Sequence, residues 1–126
     1  MVKMKNLLIF ILVVSISLIT FVQSQEIALE RISTKEGLSQ NSITCIAQDS
    51  TGFLWFGTYD GLNRFDGYNF KIYRHDPRNP NSLSHNHIRS LCVDSLGNLW
   101  VGTVGGGLNV YDQEKEIFKS FLPGPG

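Results

Sequence analysis

Three histidines fall in one stretch of the chain, His75, His85 and His87, the last two as H-x-H. Zinc would need a tetrahedral set of nitrogen, sulfur or carboxylate ligands. No cysteine or carboxylate is spaced to complete one, and the segment from Asp76 to Asn86 is rich in Asn, Ser and Pro. Solvated loop histidines and no metal are the expectation. Gly105-Gly106-Gly107 has the composition of a phosphate cradle, but such a loop must open a helix whose N-terminal amides face the anion. Here it runs into Leu108-Asn109-Val110, a strand-type sequence, so it reads as a turn. Ser39 and Ser84 recur without a recurring histidine, and Asp49 and Asp94 recur singly. Neither a nucleophile with its base nor an acid/base pair emerges, so no catalytic residue and no cofactor is expected. Tyr59-Asp60 remains: a ring can cover the apolar face of a sugar while a carboxylate accepts its hydroxyls.

The elements that position these residues follow from a repeat. At an offset of 45 residues, Leu38 matches Leu83, Ser39 matches Ser84, Asn41 matches Asn86 and Ile43 matches Ile88. The register continues through Asp49-Ser50, Gly52, Leu54-Trp55 and Gly57-Thr58, which match Asp94-Ser95, Gly97, Leu99-Trp100 and Gly102-Thr103. After one extra residue, Gly61-Leu62-Asn63 matches Gly107-Leu108-Asn109, and Asp66 matches Asp112. A period of this length with strand-like content indicates propeller blades.

Each copy reads as four short strands. The first copy gives 42–48, 53–58, 62–65 and 69–74, and the second 88–93, 99–103, 108–111 and 117–121. Asp49 to Gly52 and Asp94 to Gly97 are turns, with Asp capping its own amides and Gly accepting positive φ. Asp60-Gly61 is a hairpin signal. The second strand is apolar on both faces, Leu54 and Phe56 one way and Trp55 the other, as a blade sandwiched between neighbours requires. Gly57 and Gly102 suit places where another backbone comes close. Residues 27–32 look like an outer strand arriving without its blade.

The N-terminus has Lys3 and Lys5 ahead of an apolar stretch from Leu7 to Val22, then Gln23, Ser24 and Gln25. This is the pattern of a secretory signal, with cleavage expected after Ser24. Without Lys3 and Lys5, the 11 basic residues fall to 9 against 11 acidic ones. The chain has no basic patch, which excludes nucleic acid as an electrostatic partner. Two cysteines, Cys45 and Cys92, are too few and too far apart for a disulfide scaffold and read as buried free thiols.

The run "GLSQNSITCIAQDSTGFLWFGTYDGLNRFDG" resembles the two-component regulator propeller repeat, through L-S-x-N, D-x-x-G-x-L-W-x-G-T and G-L-x-x-[FY]-D. The structural marks recur as Asp49, Gly52, Trp55, Gly57 and Gly61, then Asp94, Gly97, Trp100, Gly102 and Gly107. The resemblance implies an all-β fold: two four-stranded antiparallel β-propeller blades, an incomplete propeller, after an N-terminal signal helix. The divisions expected are a signal peptide at 1–24, a leading outer strand and loop at 25–37, and blade repeats at 38–82 and 83–126. It implies the periplasmic ligand-sensing part of a hybrid histidine kinase, here an N-terminal fragment with no kinase domain and so no enzyme in itself. Localisation would be periplasmic, or on the periplasmic face of the inner membrane if the signal stays uncleaved. The partners implied are a glycan or oligosaccharide signal and the remaining blades. The alternative is a short propeller-repeat protein whose copies assemble to close a ring.

In an up-and-down blade, the connection between blades shares one face with the turn between second and third strands. That rim would carry Asn41, Tyr59, Asp60, His85 and Asn86. The second copy has Val104-Gly105-Gly106 where the first has Tyr59-Asp60, so the fold does not demand those two side chains.

Overall fold

The structure, a computed structural model, describes residues 2–19 and 30–122. It divides into two compact units, Met1–Glu30 and Arg31–Gly126. The first contains helix α1, Val2–Ile19. Its run from Leu7 to Val14 is apolar at every position, so no polar face is available to make it amphipathic. No described helix is long and apolar enough to cross a membrane. The expected cleavage point after Ser24 lies outside the described residues.

The second unit holds eight strands in two four-stranded antiparallel sheets, each a meander. Blade 1 comprises β1 (Ile43–Gln48), β2 (Leu54–Thr58), β3 (Gly61–Phe65) and β4 (Phe70–Tyr73). Blade 2 comprises β5 (Ile88–Val93), β6 (Leu99–Thr103), β7 (Leu108–Asp112) and β8 (Ile117–Phe121). Of the expected leading strand, residues 27–29 lie outside the described residues, and Glu30 to Ile32 carry no strand. The hydrogen bonds of that segment are local instead: Ser33 caps a turn with Glu36, and Leu38 N donates to Ser33 O.

Both blades carry the same irregularity. The register between first and second strand slips between Ile43 and Cys45, and again between Ile88 and Ser90. This leaves one extra residue at the start of each inner strand, a bulge that bends the strand.

The core lies between the blades. Trp55 and Leu62 of blade 1 meet Ile88, Leu99, Val101, Tyr111 and Phe118 of blade 2 in one buried cluster. The Trp55 ring lies 5.7 Å from Tyr73 and 4.9 Å, edge-on, from Tyr111. The Trp55 indole N–H would be an orphan there, but Asp49 Oδ2 accepts it at 2.8 Å. Asp49 Oδ1 meanwhile takes the amides of Thr51 and Phe53. One carboxylate thus closes the β1–β2 turn and fixes the seam tryptophan. Asp94 closes the β5–β6 turn in the same way, accepting from Trp100 Nε1 at 3.0 Å on the outer face of blade 2 and from the Leu96 and Asn98 amides.

Gly57 is required by a side chain and not, as the sequence suggested, by a backbone. A Cβ there would lie 2.7 Å from Ile88 Cγ2 and close against Cys45 Sγ. Ile88 is thus a knob set into a glycine hole on the neighbouring blade. The cysteines are free, but neither is buried: Cys45 is half-buried and Cys92 exposed. Cys92 pairs with Trp100 on the face of blade 2 turned away from blade 1, so a strand-like apolar run did not guarantee burial.

Candidate functional site

The sites with recurring polar residues resolve first, because most serve the fold. Asn63 and Asn109 are fully buried, yet each is satisfied. Asn63 Oδ1 accepts the Ser39 amide at 2.8 Å, and its Nδ2 donates to Ser39 Oγ at 2.8 Å. Asn109 grips Ser84 the same way, at 3.2 and 2.8 Å. The recurring Leu-Ser pair is therefore pinned to the third strand of its own blade. This also explains why the serines recur: each clasps its loop to the third strand. In blade 1 the network extends to buried Thr58, whose Oγ1 donates to Gly61 O at 2.9 Å and lies 2.9 Å from Ser39 Oγ.

The recurring Asn41 and Asn86, expected on the rim as ligand groups, are engaged by the fold. Asn41 Oδ1 accepts the Thr34 amide at 2.8 Å, and Asn86 Oδ1 accepts the His75 amide at 2.7 Å. The Asn86 carbonyl also takes the Gly61 amide at 2.7 Å. His85 is a local cap: its Nδ1 accepts the His87 amide at 3.1 Å, as Gln40 Oε1 accepts that of Ser42 at 2.8 Å in the first copy. His75 Nδ1 sits 2.6 Å from the Leu83 carbonyl. Among the described residues, no group of three or more His, Cys, Asp or Glu could hold a metal ion.

Tyr59 and Asp60 do reach the rim, and the structure adds partners. The Tyr59 ring is 53% exposed and meets the His87 ring edge-on at 4.6 Å. Asp60 is paired with Arg74, Nη2 to Oδ2 at 3.3 Å, while Arg74 Nε donates to the Asp60 carbonyl at 3.2 Å. The connection between blades passes beside this turn through the Asn86–Gly61 hydrogen bond, and Val104 N donates to His87 O at 3.0 Å. A ring, an imidazole, a guanidinium and a carboxylate therefore share one exposed edge where the blades meet. His87 and Arg74 were missed by sequence reasoning. Only their place beside the hairpin selects them, and that place depends on contacts between separate turns. A groove of about 700 Å³ lies elsewhere, lined by Asp49, Ser50 and Leu96 and by the β7–β8 turn residues Glu114 and Lys115.

On the other side of the seam, Arg64 stacks over Phe53 at 4.8 Å and donates to Tyr111 Oη and Glu116 Oε1, both at 3.1 Å. Tyr73 and Tyr111 hydroxyls lie 3.0 Å apart. Burial pushes the Tyr111 phenol up, and the Tyr73 hydrogen bond adds to that. Glu116 also binds Lys71; these two cations, Lys71 first, hold its carboxyl below the usual range. Glu116 has φ 54°, a left-handed conformation normally left to glycine.

The comparisons with known proteins agree with this architecture. The two component regulator propeller family matches residues 37–60 and 82–105, the same segment of each blade. Histidine kinase P4 of Formosa agariphila is 46% identical over 61 residues, 48% of this chain and 4% of that protein. Among solved structures, the chain resembles the extracellular domain of a protein designated a hybrid two component system of B. thetaiotaomicron, at TM-score 0.70 and 34% identity. That match covers 76% of this chain and 14% of the other. A second extracellular domain so designated from the same organism matches at TM-score 0.62 and 32% identity, over 75% of this chain and 14% of its own. The chain thus spans a small part of each relative. Each blade contains one matched segment, which takes in its first two strands, and over these segments the chain is similar to the two component regulator propeller repeat.

Proposed function

We propose that the chain is exported and contributes ligand-sensing blades to an extracytoplasmic two-component sensor, binding a signal without transforming it. The likeness to extracellular domains of two-component proteins supports the setting, and the signal-type N-terminus supports export. The blades need further blades of the same type, since about four to eight close a propeller.

The observation that carries recognition is the Tyr59–Asp60 turn. It is held against the connection between blades, and its ring is half in solvent although the fold has a version of the same turn without either side chain. A planar ring beside an Arg–carboxylate pair suits a polyhydroxylated ligand. The ring covers an apolar sugar face, and the charged pair supplies donors and acceptors to hydroxyls. An oligosaccharide is the proposed signal class. The test is equilibrium binding to a panel of neutral and acidic oligosaccharides. One member should bind, with affinity at least about tenfold weaker in Tyr59→Ala, the loss of one buried contact of about 1.4 kcal/mol. Undiminished binding in Tyr59→Ala would remove the rim from the proposal.

A further inference from the structure

The edge that carries Tyr59 is completed from the next blade by His87, and His87 is held by His85. The His87 amide donates to His85 Nδ1 at 3.1 Å, and the His87 ring meets Tyr59 edge-on at 4.6 Å. Val104 N donates to the His87 carbonyl at 3.0 Å. The β6–β7 turn closes on His85 at a glycine: a Cβ at Gly106 would stand 2.8 Å from His85 Cβ.

An imidazole nitrogen accepts a hydrogen bond only while it is unprotonated. The cap on His87 therefore exists only for neutral His85 with its proton on Nε2. An imidazolium would set its own N–H against the His87 N–H, so the ring must turn away. The first blade makes the same cap without that condition. Gln40, at the position of His85, accepts the Ser42 amide through Oε1 at 2.8 Å, and a carboxamide oxygen does not titrate. The repeat thus contains one cap in two versions, and the titrating version stands beside the exposed Tyr59 ring.

The other groups around this edge behave differently. The β2–β3 turn brings Tyr59 and Asp60, and Asp60 is paired with Arg74. Strand β5 carries Arg89. Ordinary phenols, carboxylates and guanidinium groups keep one charge state between about pH 8 and pH 5.5. The β6–β7 turn from Val104 to Gly107 has no titratable side chain. The connection between blades brings His75 and His87. His75 Nδ1 lies 2.6 Å from the Leu83 carbonyl, which only accepts, so it donates there in the neutral and the charged form alike. His87 titrates in the range of any imidazole and is the competitor that the experiment must separate.

We propose that His85 is a positioning residue that makes the recognition edge pH-dependent. Neutral, it holds His87 against Tyr59; protonated, it releases His87. Imidazoles titrate near about pH 6.5, so the edge is assembled above that range and loosens as pH falls through it. A bound signal would be held more weakly in an acidified medium. The ligand so regulated rests on the oligosaccharide reading, whereas the cap does not.

Proton NMR of the full chain without ligand, at about pH 8 and about pH 5.5, tests the cap in wild type, His85→Gln and His85→Ala. In wild type the Tyr59–His87 ring NOE should be present at the higher pH and lost at the lower one, with the His87 amide shift following the His85 ring titration. His85→Gln, which rebuilds the cap of the first blade, should keep the NOE at both pH values. His85→Ala should lack it at both. A wild-type NOE that ignores pH overturns the proposal. So does a pH response that persists in His85→Gln, which would assign it to His87, and so does a full NOE in His85→Ala. Affinity for the best-binding oligosaccharide should fall at least about threefold at the lower pH in wild type and stay constant in His85→Gln; equal wild-type affinities overturn the regulation. If no oligosaccharide binds, the sensor reading fails while the NOE still decides the cap.

Discussion

Ile88 of the second blade occupies the space that any side chain at Gly57 of the first would need, its Cγ2 lying 2.7 Å from where that Cβ would stand. The inner strands are thereby locked in register across the seam. Thr44 Oγ1 adds a hydrogen bond to the Ile88 carbonyl at 2.7 Å.

Gly57→Ala should therefore destabilise the fold by about 1–3 kcal/mol, the usual cost of overpacking a filled site. Gly102→Ala should cost less. The Cβ there meets only Ser90 of its own blade, whose hydroxyl can rotate away. Urea midpoints of the two variants, measured side by side, check the order.

Asn63→Ala should cost about 1–3 kcal/mol, because it leaves the Ser39 amide facing a buried gap without an acceptor. The loss should be local to the Leu38–Ser42 segment. Hydrogen exchange should show the Ser39 amide losing protection while the β6 amides keep theirs.

The Asp94 carboxyl is pulled down to about 2 from an ordinary 3.8, chiefly by the Trp100 indole and then by the Asn98 side chain. A carboxylate with a depressed folded pKa stabilises the native state above its unfolded value, and that contribution fades as pH falls through the folded one. The advantage should be complete above about pH 5 and should disappear between 3.8 and about 2. Carboxyl NMR titration of Trp100→Phe should move the Asp94 value upward; an unchanged value would show that the indole does not set it.

Glu116 sets a left-handed backbone against two ion pairs. The conformation costs a non-glycine residue roughly 1–2 kcal/mol, while exposed ion pairs are screened by solvent and offset little of it. Glu116→Gly should consequently be more stable than Glu116→Gln, which keeps the strained backbone and gives up the charge. Thermal midpoints of the two variants decide it.

The strands of each blade were legible in the sequence because Asp and Gly recur where a turn and a positive φ require them. β5, β6 and β8 match the expected spans, β1, β2, β3 and β7 differ by one residue at one end, and β4 is one residue shorter at each end. The Asp49–Trp55 bond was not legible, although both residues recur, since spacing alone does not show that a turn carboxylate reaches an indole six residues on. The caps made by Asn41 and Asn86 were not legible for a related reason. A recurring polar residue on a loop looks free until the amide it caps is seen. Tyr59 stood out because the second copy lacks it, whereas His87 and Arg74 reach the rim only through contacts between the β2–β3 turn and the connection between blades.

The recognition edge proposed at Tyr59 and Asp60 predicts a localised ligand footprint. Amide chemical-shift mapping during titration with the best-binding oligosaccharide tests it most directly. Shifts should concentrate at Tyr59, Asp60, Gly61, Arg74 and His87, and vanish in Tyr59→Ala. Shifts confined to the opposite turns, around Asp49 to Gly52 and Glu114 to Glu116, would contradict it.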